Sequence, residues 1–133
     1  MIEDVKRDVA AFIGLHVPLL TGKVTSTFPD NVRAASPCAI VDVVGGIGKR
    51  TLQLDLTDLL IRVSIISNDV MEIDSITDDL VDDALKNHPD ALTTIYYGGI
   101  HDVSPVMELF VEKEKYKVFV REIDISAKFK QKR

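Results

Sequence analysis

A chain of 133 residues is long enough to bury a sizeable core, and residues 1–133 are expected to form one domain. A net charge of −5 argues against general affinity for nucleic acid, and no apolar run approaches the ~20 residues of a membrane-spanning helix. A single cysteine, Cys38, excludes an internal disulfide and leaves a reducing cytosol as the expected surroundings.

The first patterned stretch is residues 2–15. Ile2, Val5, Val9 and Phe12 or Ile13 recur at helical spacing on one face, and Glu3 and Asp4 suit the positive end of a helix dipole. Gly14 and Pro18 end the helix. The opening MIEDVKRDVA is amphipathic and acidic, which is not a signal-peptide pattern. Residues 19–37 hold Gly22, Pro29, Asn31 and Pro37 and show little periodicity. Such a length is unusual for a structureless loop, so either a short strand lies at 23–27 or the segment is an arm ordered by a partner.

Pro37 opens a strand over 38–44, and a glycine turn with a cationic tip at 46–50 follows. The turn feeds the longest strand-like run of the chain, residues 51–67, TLQLDLTDLLIRVSIIS. Together these predict a projecting β-hairpin. Within the run Leu52, Leu54 and Leu56 alternate with polar residues, and then the parity slips. Leu59, Ile61, Val63 and Ile65 face one way, and Leu60, Arg62, Ser64 and Ile66 the other, so Thr57-Asp58 is expected to hold a bulge, bend or turn.

Residues 68–86 read as a second helix, capped by Ser67, Asn68 or Asp69, with a shorter version starting at Asp74 or Ser75 as the alternative. Ile73, Ile76, Leu80 and Ala84 form its apolar stripe, with Val81 and Leu85 beside it. Asp74, Asp78, Asp79, Asp82 and Asp83 take the other side, and Asn87-His88-Pro89 stops the helix. A short strand at 93–97 is expected to stop at Gly98-Gly99, followed by a turn-rich stretch to Val106 and a short strand at 107–111. The last strand, 116–129, places Phe119, Ile123, Ile125, Ala127 and Phe129 on one parity, with Arg121 the exception. Tyr116, Val118 and Val120 lie on the other, so the first half of this strand is apolar on both sides, as in a central or interface strand. The order is that of an α+β domain, a mainly antiparallel sheet of about four to five strands with two helices on one face.

Catalytic and ligand-binding motifs are sparse. The loop Gly45–Thr51 fails the phosphate-loop pattern, which needs glycine at Val43 and serine or threonine at Arg50. It also fails the dinucleotide pattern, which needs glycine at Thr51, and a strand follows it where both patterns need a helix. The acidic helix face offers carboxylates to a divalent cation but lacks the spacing of a calcium loop. No metal site or cofactor is expected, and the chain is not read as an enzyme. His101-Asp102, placed in a loop, is the alternative candidate for small-molecule binding or acid–base chemistry, without an evident nucleophile. Cys38 enters an apolar strand and is expected to be buried and inert. Tyr96-Tyr97 is an adjacent aromatic pair without basic neighbours in sequence. Residues 130–133 form a basic tail, with Lys130, Lys132 and Arg133 extending the charge of Lys128.

The order of these elements resembles the tail terminator, or tail completion, proteins of long-tailed bacteriophages and prophages. The resemblance runs through the N-terminal helix and arm, SPCAIVDVV, LQLDLTDLLIRVSIIS, EIDSITDDLVDDALK and GGIHDVSPVMELFVEKEKYKVFVREIDISAKF. It departs in the acidic second helix and the basic tail. The resemblance implies a virion subunit, made in the host cytoplasm, that forms a hexameric ring on the tail tube, stops its polymerisation and offers a surface for head attachment. The implied partners are other copies of the chain, the tail tube protein, the head–tail connector proteins and DNA passing through without specific binding, with no membrane. A head–tail adaptor or another small morphogenetic protein is the nearest alternative. Lys49 and Arg50 at the hairpin tip, with Val118 and Val120, are the candidate subunit interface. Asp78, Asp79, Asp82 and Asp83 are the candidate lumen-facing acids, where like-charge repulsion lets DNA slide.

Overall fold

The computed structural model describes residues 2–45 and 58–130. Their centre is a mixed, open sheet of six strands, one more than the upper expectation. The chain runs through helix α1 (Ile2–His16), β1 (Val24–Thr25), a single helical turn α2 (Val32–Ala35), β2 (Cys38–Gly45), β3 (Asp58–Ser67), helix α3 (Val70–Thr77), β4 (Ile95–Val103), β5 (Met107–Val111) and β6 (Tyr116–Phe129). Winding continues beyond α3 as a π-helical stretch, Asp78–Ala84, and a last turn, Leu85–Asn87. Among the described residues no helix is long and apolar enough to cross a membrane.

β6 is the hub. It pairs antiparallel with β3 along one side, from Ser67↔Phe119 to Asp58↔Lys128. On its other side β5 takes its first half and β4 its second half. β2 lies antiparallel on the outside of β3, and the two-residue β1 adds a parallel pair beyond β2. Strands flank β6 on both sides over most of its length, and both of its faces are covered around Val118, Phe119 and Val120, which accounts for the apolar residues on both parities at the start of β6.

Parity sorts the two faces of the sheet. Leu59, Ile61, Val63 and Ile65 of β3, Ala39 and Val41 of β2, and Ile123, Ile125 and Ala127 of β6 are buried together. Val5, Val9, Phe12 and Ile13 of α1 and Ile73, Ile76, Leu80, Ala84 and Leu85 of the second helix join them. Both helices therefore sit on one face, as the stripes required. The π-helical winding adds to this fit: the Leu85 N–H donates to the Leu80 carbonyl five residues back, which sets Leu85 under Leu80 and buries both. Arg121, the misfit of its parity, points to the same helical side. Its Nη1 donates to Asp74 Oδ1 at 2.9 Å and Thr77 Oγ1 at 3.2 Å, and its Nε to the Ser104 carbonyl at 3.2 Å. It ties α3 to the sheet.

The opposite face has its own small core. Val32, Cys38, Ile66 and Val118 are fully buried there, with Ile40, Tyr116 and Val120 packed around them. Residues 19–37 account for Val32: they leave α1, pair briefly as β1 within the expected 23–27 window, and cross to the second face.

Two further expectations are corrected. Gly98-Gly99 does not stop a strand but sits inside β4 as a bulge, with register shifts between Tyr97 and Ile100 and between Ile100 and Asp102. A Cβ on Gly98 would lie 3.1 Å from the Ser126 carbonyl oxygen, and Gly99 has φ +105°. Glycine here lets β4 kink while staying paired to β6. Consequently His101 and Asp102 belong to a strand and not to a loop. The hairpin tip and the parity slip at Thr57-Asp58 fall on or beside residues 46–57, outside the described residues.

Candidate functional site

The second helix begins at a built cap. The Met71 N–H donates to Asp69 Oδ1 at 3.0 Å, the Asp69 N–H to Ser67 Oγ at 3.1 Å, and Ser67 Oγ to Glu72 Oε1 at 2.6 Å. From that start the winding carries Asp78, Asp82 and Asp83 into solvent and leaves Asp79 half-buried. Asp83 accepts from Asn87 Nδ2 at 2.7 Å. Among the described residues no three histidine, cysteine or acidic side chains are grouped to hold a metal ion.

The nominated interface residues separate. Lys49 and Arg50 lie outside the described residues. Val118 is 0% exposed, closed in by Val32, Cys38 and Ile66, and Val120 is half-buried beside it. Val120 is therefore partly open at the surface, whereas Val118 is enclosed while the arm is seated.

The two edges of the sheet differ in how well they are blunted. On the β2 edge, β1 covers Ala39 and Ile40, and the Val43 N–H donates to Asp42 Oδ1 at 2.9 Å. Lys6 Nζ sits 3.2 Å from the same carboxylate, and that hydrogen bond is the main reason its ammonium is held above the ordinary lysine range. Charge and side-chain capping of this kind discourage strand addition. The other edge is less guarded at β5, where Met107 is 41%, Leu109 38% and Phe110 58% exposed. Among the described residues no strand flanks the outer side of β5.

Sequence reasoning missed a charged row on the second face. Register aligns Asp42, Arg62, Asp124 and Asp102 across β2, β3, β6 and β4. Arg62 Nε donates to Asp124 Oδ1 at 2.9 Å and Nη2 to Asp124 Oδ2 at 3.3 Å, with Glu122 Oε2 3.5 Å from Nε. The bond to Asp124 raises the guanidinium further above its ordinary value against the opposing effect of burial. Asp124 is 9% exposed and depends on this partner. The signal was present as charged residues of matching parity in two apolar strands, but their pairing required the register.

The remaining candidates are dispersed. His101 and Asp102 are exposed on β4. The Ser104 hydroxyl donates to the Pro105 carbonyl and accepts from the Glu122 N–H, both at 2.9 Å, so it serves the strand turn. A shallow cleft bounded by Glu3, Lys6, Arg7 and Thr25 lies between α1 and β1, at the opposite edge of the sheet from His101. Tyr96 does have a basic neighbour, contrary to its sequence surroundings: Lys130 Nζ lies 4.8 Å from its ring centre. Tyr97 is half-buried, which pushes its phenol upward. Cys38 is buried as expected, and burial raises its thiol.

Comparison with protein-family models finds no match, and none is found among curated proteins. By fold, the chain is similar to one from the "virion of native gene transfer agent (GTA) particle", with a TM-score of 0.53 and 15% identity. The likeness covers 96% of this chain and 98% of that one. At that identity it is a likeness of fold.

Proposed function

We propose that this chain is a structural virion subunit, specifically a tail terminator that closes into a hexameric ring on a tail tube. The ring halts tube polymerisation and presents the surface that the head–tail connector proteins meet. The observation that carries the reading is the nearly end-to-end likeness of fold to a chain of the gene transfer agent virion. The agreement of element order with the tail terminator pattern supports the finer role. The unguarded β5 edge, with Met107, Leu109 and Phe110 exposed, suits contact with a neighbouring copy. A head-to-tail contact of this type closes into a ring when its rotation permits. The role is architectural and non-enzymatic. The acidic face of the second helix faces the lumen in this reading and keeps DNA from sticking.

Mass by light scattering over a concentration range, with and without magnesium, tests assembly, together with negative-stain images alone and with purified tail tubes. Closed rings, free or seated on tube ends, are expected. A monomer under every condition, with tubes that lengthen unchecked in its presence, would overturn the proposal. Lys49→Glu with Arg50→Glu should weaken ring formation and leave the subunit folded. Reversal of Asp78, Asp79, Asp82 and Asp83 to lysine should leave rings intact and hinder DNA passage; full infectivity in that variant would remove the acids from the lumen.

A further inference from the structure

The two cores of this protein differ in how they are sealed. On the helical face, two helices spread many apolar side chains over the sheet. On the second face, among the described residues, Val32 is the fully buried residue contributed by the arm, and Cys38, Ile66 and Val118 belong to β2, β3 and β6. Those strands are held by ladders independent of the arm. We propose that residues 22–35 are a displaceable strap, which lifts off the Cys38, Ile66 and Val118 cluster while the sheet and the helical core stay folded.

Among the described residues the strap packs through Val32 and Ala35 on the cluster and through Val24 on the helical core, and a short set of hydrogen bonds joins it to the sheet. Val32 inserts into the cluster, and its N–H donates to Glu114 Oε2 at 3.1 Å. The Asn68 N–H donates to Ser36 Oγ at 3.2 Å at the far end of the segment. At the near end, β1 pairs through two residues, and the Ala39 N–H donates to the Lys23 carbonyl at 3.0 Å. Between these points Thr25, Ser26, Thr27, Phe28, Asp30 and Asn31 are exposed. Gly22, at φ +72° with open space around it, is a natural pivot at the start. A segment with little apolar burial and mostly solvated backbone opens at lower free-energy cost than the whole fold. Opening needs no change in strand pairing within β2, β3 and β6, so the surface it uncovers is preformed. That surface joins Ile66 and Val118 to Val120 and, across the register, to Leu109 and Met107 of β5. The inference rests on the fold alone and is independent of the assembly reading, although it is the movement that would give a neighbouring subunit access to Val118.

Cys38 reports the movement directly, being 4% exposed beneath the strap and the sole thiol of the chain. The test is the rate of its reaction with a chromogenic aromatic disulfide at fixed pH, in urea below the unfolding midpoint. Strap opening exposes little surface, so the rate should be far below that of the unfolded chain yet nearly independent of urea. Val32→Ala should accelerate it about 10- to 100-fold, and Glu114→Gln by about a few-fold, each lowering global stability by the same free energy while the labelling rate stays nearly independent of urea. Hydrogen exchange on the unmodified protein supplies a second reading: the Val32, Ala35 and Ser36 amides should exchange well before those of β3 and β6. A labelling rate that rises with the full urea dependence of global unfolding would overturn the proposal. So would strap amides as protected as the central strands.

Discussion

Asp8 shows how much structure one carboxylate can hold. Its Oδ2 accepts from the Thr93 and Thr94 N–H groups, both at 2.9 Å, and from Thr94 Oγ1 at 2.7 Å, while Oδ1 accepts from Thr93 Oγ1 at 3.2 Å. It pins the turn before β4 to α1. Asp8→Ala should cost about 1–2 kcal/mol, read from urea denaturation, because hydrogen bonds to a charged acceptor are lost at a half-exposed site. Arg62 is a costlier single change. Arg62→Leu strands the Asp124 carboxylate without its bidentate partner and should cost about 3 kcal/mol. Adding Asp124→Leu to it should recover most of that loss, as a double-mutant cycle would measure. Neither role was legible in the sequence. Asp8 sits on the polar side of an amphipathic helix and Arg62 interrupts an apolar strand, but their partners lie 85 and 62 residues away.

Elements were read well where their signal is a period. The stripes of α1 and the second helix, and the parity of β3 and β6, follow from the 3.6- and 2-residue repeats of local geometry. β4 runs past the expected stop at Gly98-Gly99, because a glycine pair has the same appearance in a turn and in a bulge. The ladder to β6, set by residues some thirty positions away, makes it a bulge. Gly99→Ala should cost about 1–3 kcal/mol, since φ +105° strains an L residue. Amide exchange should locate the damage at the β4–β6 pairing; protection there equal to wild type, with an unchanged urea midpoint, would show that the bulge tolerates a side chain.

For the whole molecule, the assembly reading makes β5 the surface to disturb. Met107→Glu with Phe110→Glu should abolish or strongly weaken ring formation in light scattering. The subunit's own stability should move by no more than about 0.5 kcal/mol, because both side chains are already exposed. Rings that form normally in that variant would place the contact elsewhere on the subunit. The β2 edge carries the opposite expectation. Its pairing groups are partly covered by β1 and Asp42, so changes at Asp42 should affect α1 packing through Lys6 more than assembly.

Sequence alone determined the α+β class, the placement of two helices on one face, and the division of β3 and β6 into two parities. All of these depend on residue spacing, and a buried stripe can satisfy itself in one direction only. It also marked β6 as a central or interface strand, since a strand apolar on both faces must be covered on both, and the structure makes it central. Tertiary structure decided what required distant partners: β6 flanked by three strands, the arm carried to the second face, Val118 enclosed by Val32, and Arg62 joined to Asp124. Register and covering segments assign such contacts. They arise from pairings between residues far apart in the chain, which no local repeat encodes.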